Sequence, residues 1–207
     1  MLAKETVIFL GKLEKNNNRD WFTANRKLFD DANDNIVAIT DHLIGRIARF
    51  DPEVAGLDPK SCVFRIYRDV RFSKDKSPYK TNLGAFIAPG GRKTMSPGYY
   101  FHIQPRMFFC AAGKHMPDSA ELFKIRTTVA SNTKEFLKLI ESKKFAGRFG
   151  GFHGDRLSRP PKGFPPDHEA IEYLKLKSFT VGEEFTEKDA LSADYPKMLA
   201  ESFKASY

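Results

Sequence analysis

The side chains best equipped for chemistry are concentrated between Arg65 and Lys80, in the run Arg-Ile-Tyr-Arg-Asp-Val-Arg-Phe-Ser-Lys-Asp-Lys-Ser-Pro-Tyr-Lys. Six of these sixteen residues are cationic and two acidic, so the run carries +4 of the chain's formal +8. A guanidinium presents a planar fork of donors that matches carboxylate or phosphate oxygens two at a time. Only Asp69 and Asp75 lie nearby to neutralise Arg65, Arg68 and Arg71. The surplus is met by a bound anion, by a distant acid or by water. An anion site would draw on Arg65, Arg68, Arg71, Lys76 and Lys80, with Tyr67 and Tyr79 as orienting hydroxyls. The competing reading is an internal ion-pair network that fixes the fold, and Asp69 is expected to serve one of the arginines in that way. Both can hold together.

A second polar series lies at Tyr100, His102 and Gln104, which alternate with Tyr99, Phe101 and Ile103. On a strand the first set offers a hydroxyl, an imidazole and an amide along one face. His102 is the acid/base candidate, because its ordinary pKa lies near neutrality; a hydrogen-bonded structural histidine is the bland alternative. Gln104 would add a hydrogen bond to a ligand. No nucleophile elbow, phosphate-binding glycine loop or zinc-protease motif is present. The five histidines are dispersed and neither cysteine sits in a Cys-x-x-Cys spacing, so neither a metal nor a cofactor is expected.

The elements that must position these residues follow from periodicity. A short helix is expected over 3–15, broken by Asn16-Asn17-Asn18. A long one follows, capped by Asp20, in which Phe22, Phe29, Ile36, Leu43 and Phe50 recur every seven residues and Asp51-Pro52 ends the pattern. Aromatic and β-branched content predicts strands at Cys62–Arg68, Leu83–Ala88, Tyr99–Gln104 and Met107–Ala112, joined as an antiparallel meander. Pro105 belongs to a tight connection between the last two. Helices are expected at 118–130, around Phe136–Ile140, at 167–176 with Asp167 as N-cap, and at 187–204. The stretch 145–162, rich in Gly, Arg and Pro, reads as an extended excursion; its Arg156, Arg159 and Lys162 repeat the chemistry of the central run. Trp21 reads as a buried anchor at a helix start, with ligand stacking as the alternative.

Together these elements predict an α+β fold, a single domain over residues 1–207, with helices packed on a mainly antiparallel sheet behind a long N-terminal helical segment. The run from Arg65 to Lys80 resembles the signature of domain-of-unknown-function family 2461. Asn17-Asn18-x-x-Trp21-Phe22, Tyr99-Tyr100-x-His102-Ile103, Met116-Pro117, Gly154-Asp155-x-Leu157, Pro161-Lys162-Gly163-Phe164 and Asp167-His168 agree with it. The resemblance spans nearly the whole chain and implies a single α+β domain, but brings no activity with it. It departs at Lys114-His115, where relatives place an aromatic residue after a glycine.

Composition bounds the function class. Hydrophobic residues make up 41% and charged residues 29%, ordinary for a globular chain rather than a disordered one. No apolar run approaches the roughly 20 residues that span a bilayer, and the Thr6–Leu10 stretch is too short for a signal-peptide core. A cytoplasmic protein with no membrane partner is expected, with Cys62 and Cys110 as buried free thiols. The pI near 9.4 favours anionic partners. An anionic small molecule is the first expectation and nucleic acid the alternative; a non-catalytic structural or interaction protein is the third. Oligomeric state is not legible.

Overall fold

The computed structural model describes all 207 residues. The N-terminal segment folds as α1 (Lys4–Lys15), α2 (Arg19–Ala24) and α3 (Arg26–Ile47). Asn18, rather than Asp20, caps α2, its side chain accepting from Trp21 N. The heptad stripe turns inward as its spacing predicts: Phe22, Ala32, Ile36, Ile39, Leu43 and Ile47 are buried along α2 and α3. Asp58 then caps a one-turn helix, α4 (Pro59–Cys62), with proline at its first position.

Four strands form one antiparallel sheet in the order β1-β2-β3-β4. They are β1 (Leu83–Ile87), β2 (Gly98–Gln104), β3 (Met107–Lys114) and β4 (Phe179–Phe185). Between β3 and β4 run α5 (Ser119–Ser131), α6 (Thr133–Ile140), α7 (Lys143–Phe149) and α8 (Ile171–Leu174); α9 (Glu187–Ala190) and α10 (Tyr195–Ser206) follow β4. Alternation divides the sheet into two faces. Leu83, Ala85 and Ile87, Tyr99, Phe101 and Ile103, and Phe108, Cys110 and Ala112 point into the main core. There they meet α1, α3 and α10, which supply Leu10, Leu13, Leu43, Leu199 and Phe203. A smaller core of Val129, Ala170, Leu174, Leu176 and Phe179 joins α5 and α8 to the start of β4. This is the α+β architecture that the patterning predicts.

Several elements differ from expectation. Cys62–Arg68 is not a strand: Cys62 ends α4, and the chain beyond makes only single bridges, Val63 to Ala85 and Tyr67 to Tyr79. Its β-forming residues lack a neighbouring strand to pair with continuously, and pairing rather than propensity defines a ladder. β4 takes the fourth place instead. Its alternating Phe179, Val181 and Phe185 were diluted by Gly182, Glu183 and Glu184, which are poor strand formers. The expected excursion at 145–162 begins inside α7, which is capped by Ser142 and closed by Gly150 in the left-handed region. The 167–176 helix shrinks to α8 without Asp167 as cap, and the C-terminal helix is interrupted between Ala190 and Tyr195.

Candidate functional site

The sheet's other face is not covered by helices. Gly98, Ala111 and Gly113 line its floor, and Phe86, Tyr100, His102 and Phe109 stand on it as partly exposed side chains. Gly113 adopts φ 118°, and a Cβ there would lie 2.2 Å from Phe179 O, so only glycine allows the strands to meet at that point. Phe64 and Lys80 close one side, and Thr94, Met95 and Ser96 from the β1–β2 connection close another. The result is a cavity of about 660 Å3, within the usual range for small-molecule sites.

Its polar centre is a chain of hydrogen bonds along β2. Tyr100 Oη lies 2.8 Å from His102 Nδ1, and His102 Nε2 lies 3.0 Å from Gln104 Oε1. With the Gln104 carbonyl facing the ring, Nε2 carries the proton and donates, and Nδ1 accepts from the Tyr100 hydroxyl. The imidazole is stacked on Phe109, centroids 4.6 Å apart at 17°. Burial lowers the His102 pKa, opposed in part by the Gln104 hydrogen bond, so the ring is neutral near pH 7. Burial pushes the Tyr100 phenol up to about 12.

The charge in the cavity is one-sided. Lys80, Lys114, His102 and His115 line it, and no Asp or Glu does. Lys114 is buried and spent on Glu121, 2.7 Å away. Lys80 Nζ sits 5.4 Å from the centre of the Phe64 ring with no acid paired to it. Desolvation, followed by the charge of Arg65, depresses its pKa.

The other residues of the central run are placed differently. Antiparallel hydrogen bonds, Arg68 N to Pro78 O and Lys80 N to Ile66 O, pinch its two ends together. Between them Arg68 closes the loop on itself, donating to Asp75, to Ser77 O at 3.1 Å and to Ser73 Oγ at 3.4 Å. Arg71 grips Asp69 through Nε at 2.9 Å and Nη2 at 2.6 Å, and Lys76 donates to Val70 O at 3.0 Å. Asp75 accepts from both Ser77 N and Ser77 Oγ. These hydrogen bonds, with Arg68, hold its carboxyl down to about 2. Tyr79 is buried against Phe22, rings stacked 4.0 Å apart, with Tyr67 beside it. Arg65 is exposed. Of the sequence-derived candidates, then, Lys80 and His102 line the cavity, and Gln104 reaches it through His102. Tyr67, Arg68, Arg71, Lys76 and Tyr79 build the loop that presents Lys80.

Sequence reasoning did not single out Phe64, Asn82, Tyr100 as a principal site residue, or Phe109. Phe109 stands opposite His102 in the β2–β3 register; alternation puts it on the same face, but the register makes it the partner. Phe64 and Asn82 flank the run and reach the cavity only because its two ends are pinched.

The profile of the family described as a conserved hypothetical protein (DUF2461) matches residues 5–207. The chain belongs to the DUF2461 family. No curated protein and no solved structure matches it.

In this DUF2461 chain the N-terminal motif and the central run meet in space. Asn17 clamps Tyr79 reciprocally, donating from Nδ2 to Tyr79 O at 2.9 Å and accepting from Tyr79 N at 3.1 Å. Trp21 is a partly buried anchor stacked near Phe9. Lys114 and His115, the point of departure from the family resemblance, lie at the cavity's edge. The loop after α7 pairs with the stretch around Leu176 and Thr180 through His153 and Arg156; it does not line the cavity.

Proposed function

We propose that the cavity on the open face of the sheet binds a small ligand that joins a carboxylate or phosphate to a flat apolar body. The observation that carries this reading is a lining with Lys80 as an unneutralised cation, aromatic walls at Phe64 and Phe109, and no carboxylate. The anion would meet Lys80, with Arg65 adding positive potential at the rim. Arg68, Arg71 and Lys76 contribute by holding the loop's shape. Two buried free thiols support a reducing, cytoplasmic setting; no helix is long and apolar enough to cross a membrane.

Calorimetric titration with phenyl phosphate and phenylpyruvate tests the reading. Lys80→Ala is expected to weaken binding at least about tenfold, in line with loss of one charged hydrogen bond of roughly 1.5–3 kcal/mol. Exposed Lys74→Ala should leave it unchanged. Equal affinities for the two variants would refute the assignment.

One feature favours nucleic acid as the second reading. Phe72 is 96% exposed at the tip of the basic loop, with the Arg71 guanidinium 5.9 Å from its ring. Such an exposed ring in a basic loop suits a stacked base. This reading expects single-strand binding that falls steeply with salt and is lost in Phe72→Ala; salt-independent or absent binding eliminates it.

A further inference from the structure

Resting on the small-anion reading, we infer that the site moves protons. Tyr100 is the catalytic acid/base that touches the ligand, and His102 with Gln104 is the reservoir behind it.

The geometry assigns these roles by exclusion. Both ring nitrogens of His102 are engaged, Nδ1 by Tyr100 and Nε2 by Gln104, and Phe109 covers one ring face. A ligand therefore has no free imidazole nitrogen to meet. The Tyr100 oxygen is the end of the chain: its one proton points to Nδ1, and its lone pairs remain to accept from a ligand in the cavity. All three side chains share one face of β2, so the relay is held on rigid backbone rather than on a loop.

The balance closes. As a ligand C–H or O–H gives its proton to Tyr100 Oη, the tyrosine's own proton passes to His102 Nδ1. The imidazolium that results donates from Nδ1 to Tyr100 and from Nε2 to Gln104, so both N–H groups have acceptors already in place. The ligand is left as an enolate or alkoxide. Lys80 supplies the opposing charge from the cavity wall, and Phe64 bridges the two groups, its ring 5.4 Å from Lys80 Nζ and 5.9 Å from the Tyr100 ring. Reversal returns the proton. No oxidant, metal or leaving group is required, so the reaction class is proton exchange or tautomerisation next to a carbonyl, on an anionic substrate.

The other titratable groups that bear on His102 are few. Lys80, Lys114 and His115 share the cavity, and Glu184 stands opposite Phe109 on β4, exposed.

Phenylpyruvate matches every requirement: an aromatic body, a carboxylate and an acidic CH2 beside a carbonyl. Loss of its CH2 proton signal in D2O, followed by NMR, reads the step directly, and calorimetry reads binding separately. The native protein should accelerate exchange over buffer. Tyr100→Phe should reduce the enzymic rate at least about 100-fold, as expected for removal of a general base, while retaining phenylpyruvate affinity and melting temperature. The rate should hold at neutral pH and fall only below the ordinary imidazole value of 6.5, because His102 must be neutral to accept and its pKa is depressed. Gln104→Glu, which places a carboxylate against Nε2, should move that profile upward by about one pH unit. Binding without exchange, undiminished exchange in Tyr100→Phe, or a profile unmoved in Gln104→Glu overturns the relay and leaves the binding reading standing. Failure of phenylpyruvate to bind overturns both.

Discussion

Asp75 shows how a single residue changes the meaning of a charge pattern. Within the run it looked like partial neutralisation of neighbouring arginines; in the structure it is the loop's organising acceptor, taking Ser77 N, Ser77 Oγ and Arg68. Its ionised form is favoured by hydrogen bonds present only when the loop is formed. The folded pKa of about 2 lies below the ordinary 3.8. The loop's stabilisation from this group is therefore complete above pH 3.8 and lost as the pH falls through about 2. Carboxyl 13C NMR should find Asp75 titrating near 2, with Arg68→Ala raising that midpoint toward 3.8. A native midpoint at or above 3.8 would show that the loop does not hold together as described. The same comparison separates Arg68 from Lys80. Arg68 has three partners inside its own loop, whereas Lys80 has none that is acidic, so only the latter is free to meet a ligand.

At the scale of elements, the central run is legible as a unit but not as a strand. Its residues have the composition of a strand, yet residues 63–67 find only isolated partners on β1 and on the returning chain. What fixes them is the N-terminal segment. Asn17 satisfies both backbone groups of Tyr79, and Phe22 stacks on its ring. Asn17→Ala would leave a part-buried N–H and C=O unsatisfied, a cost of about 1–3 kcal/mol. The expected result is a lower melting temperature together with weaker phenyl phosphate binding, since Lys80 is the next residue. Unchanged stability and affinity would mean that the loop needs no clamp. The link also explains why an Asn run, ordinarily a solvated helix break, lies beside the aromatic start of α2. β2 and β3 were legible because their alternation was uninterrupted, whereas β4 was hidden by the glycine and glutamates on its path.

Across the whole molecule the two cores divide the chain unequally. The main one contains 32 buried residues and the other 5. The smaller is held in part by Arg126, a buried cation donating to Leu174 O at 2.6 Å and Leu176 O at 3.0 Å. Burial lowers its pKa. Fewer buried apolar contacts permit easier local opening. Native-state hydrogen exchange should find α5, α6 and α8 opening well before α3, β1, β2 and β3, with Arg126→Met widening the gap. Uniform protection throughout would show that the two cores unfold as one. Because the cavity floor is built on β2 and β3, ligand binding should survive that opening.

By itself the sequence determined the α+β class, the long helical stripe, three of the four strands, and the polar set Tyr100, His102 and Gln104 on one face. Each of these follows from a period of two or of about 3.6, which is local information. Beyond the Asp69 pair, tertiary structure decided which charges are satisfied. Arg68 is used up by Asp75 and by Ser77 O, seven and nine residues on, and Lys80 is delivered to a carboxylate-free cavity, because such placements are chosen by how the chain is pinched, not by its composition. Arg71 takes Asp69, only two residues away. The same holds for His102: alternation placed it on the face, and only the register of β2 with β3 set Phe109 against its ring.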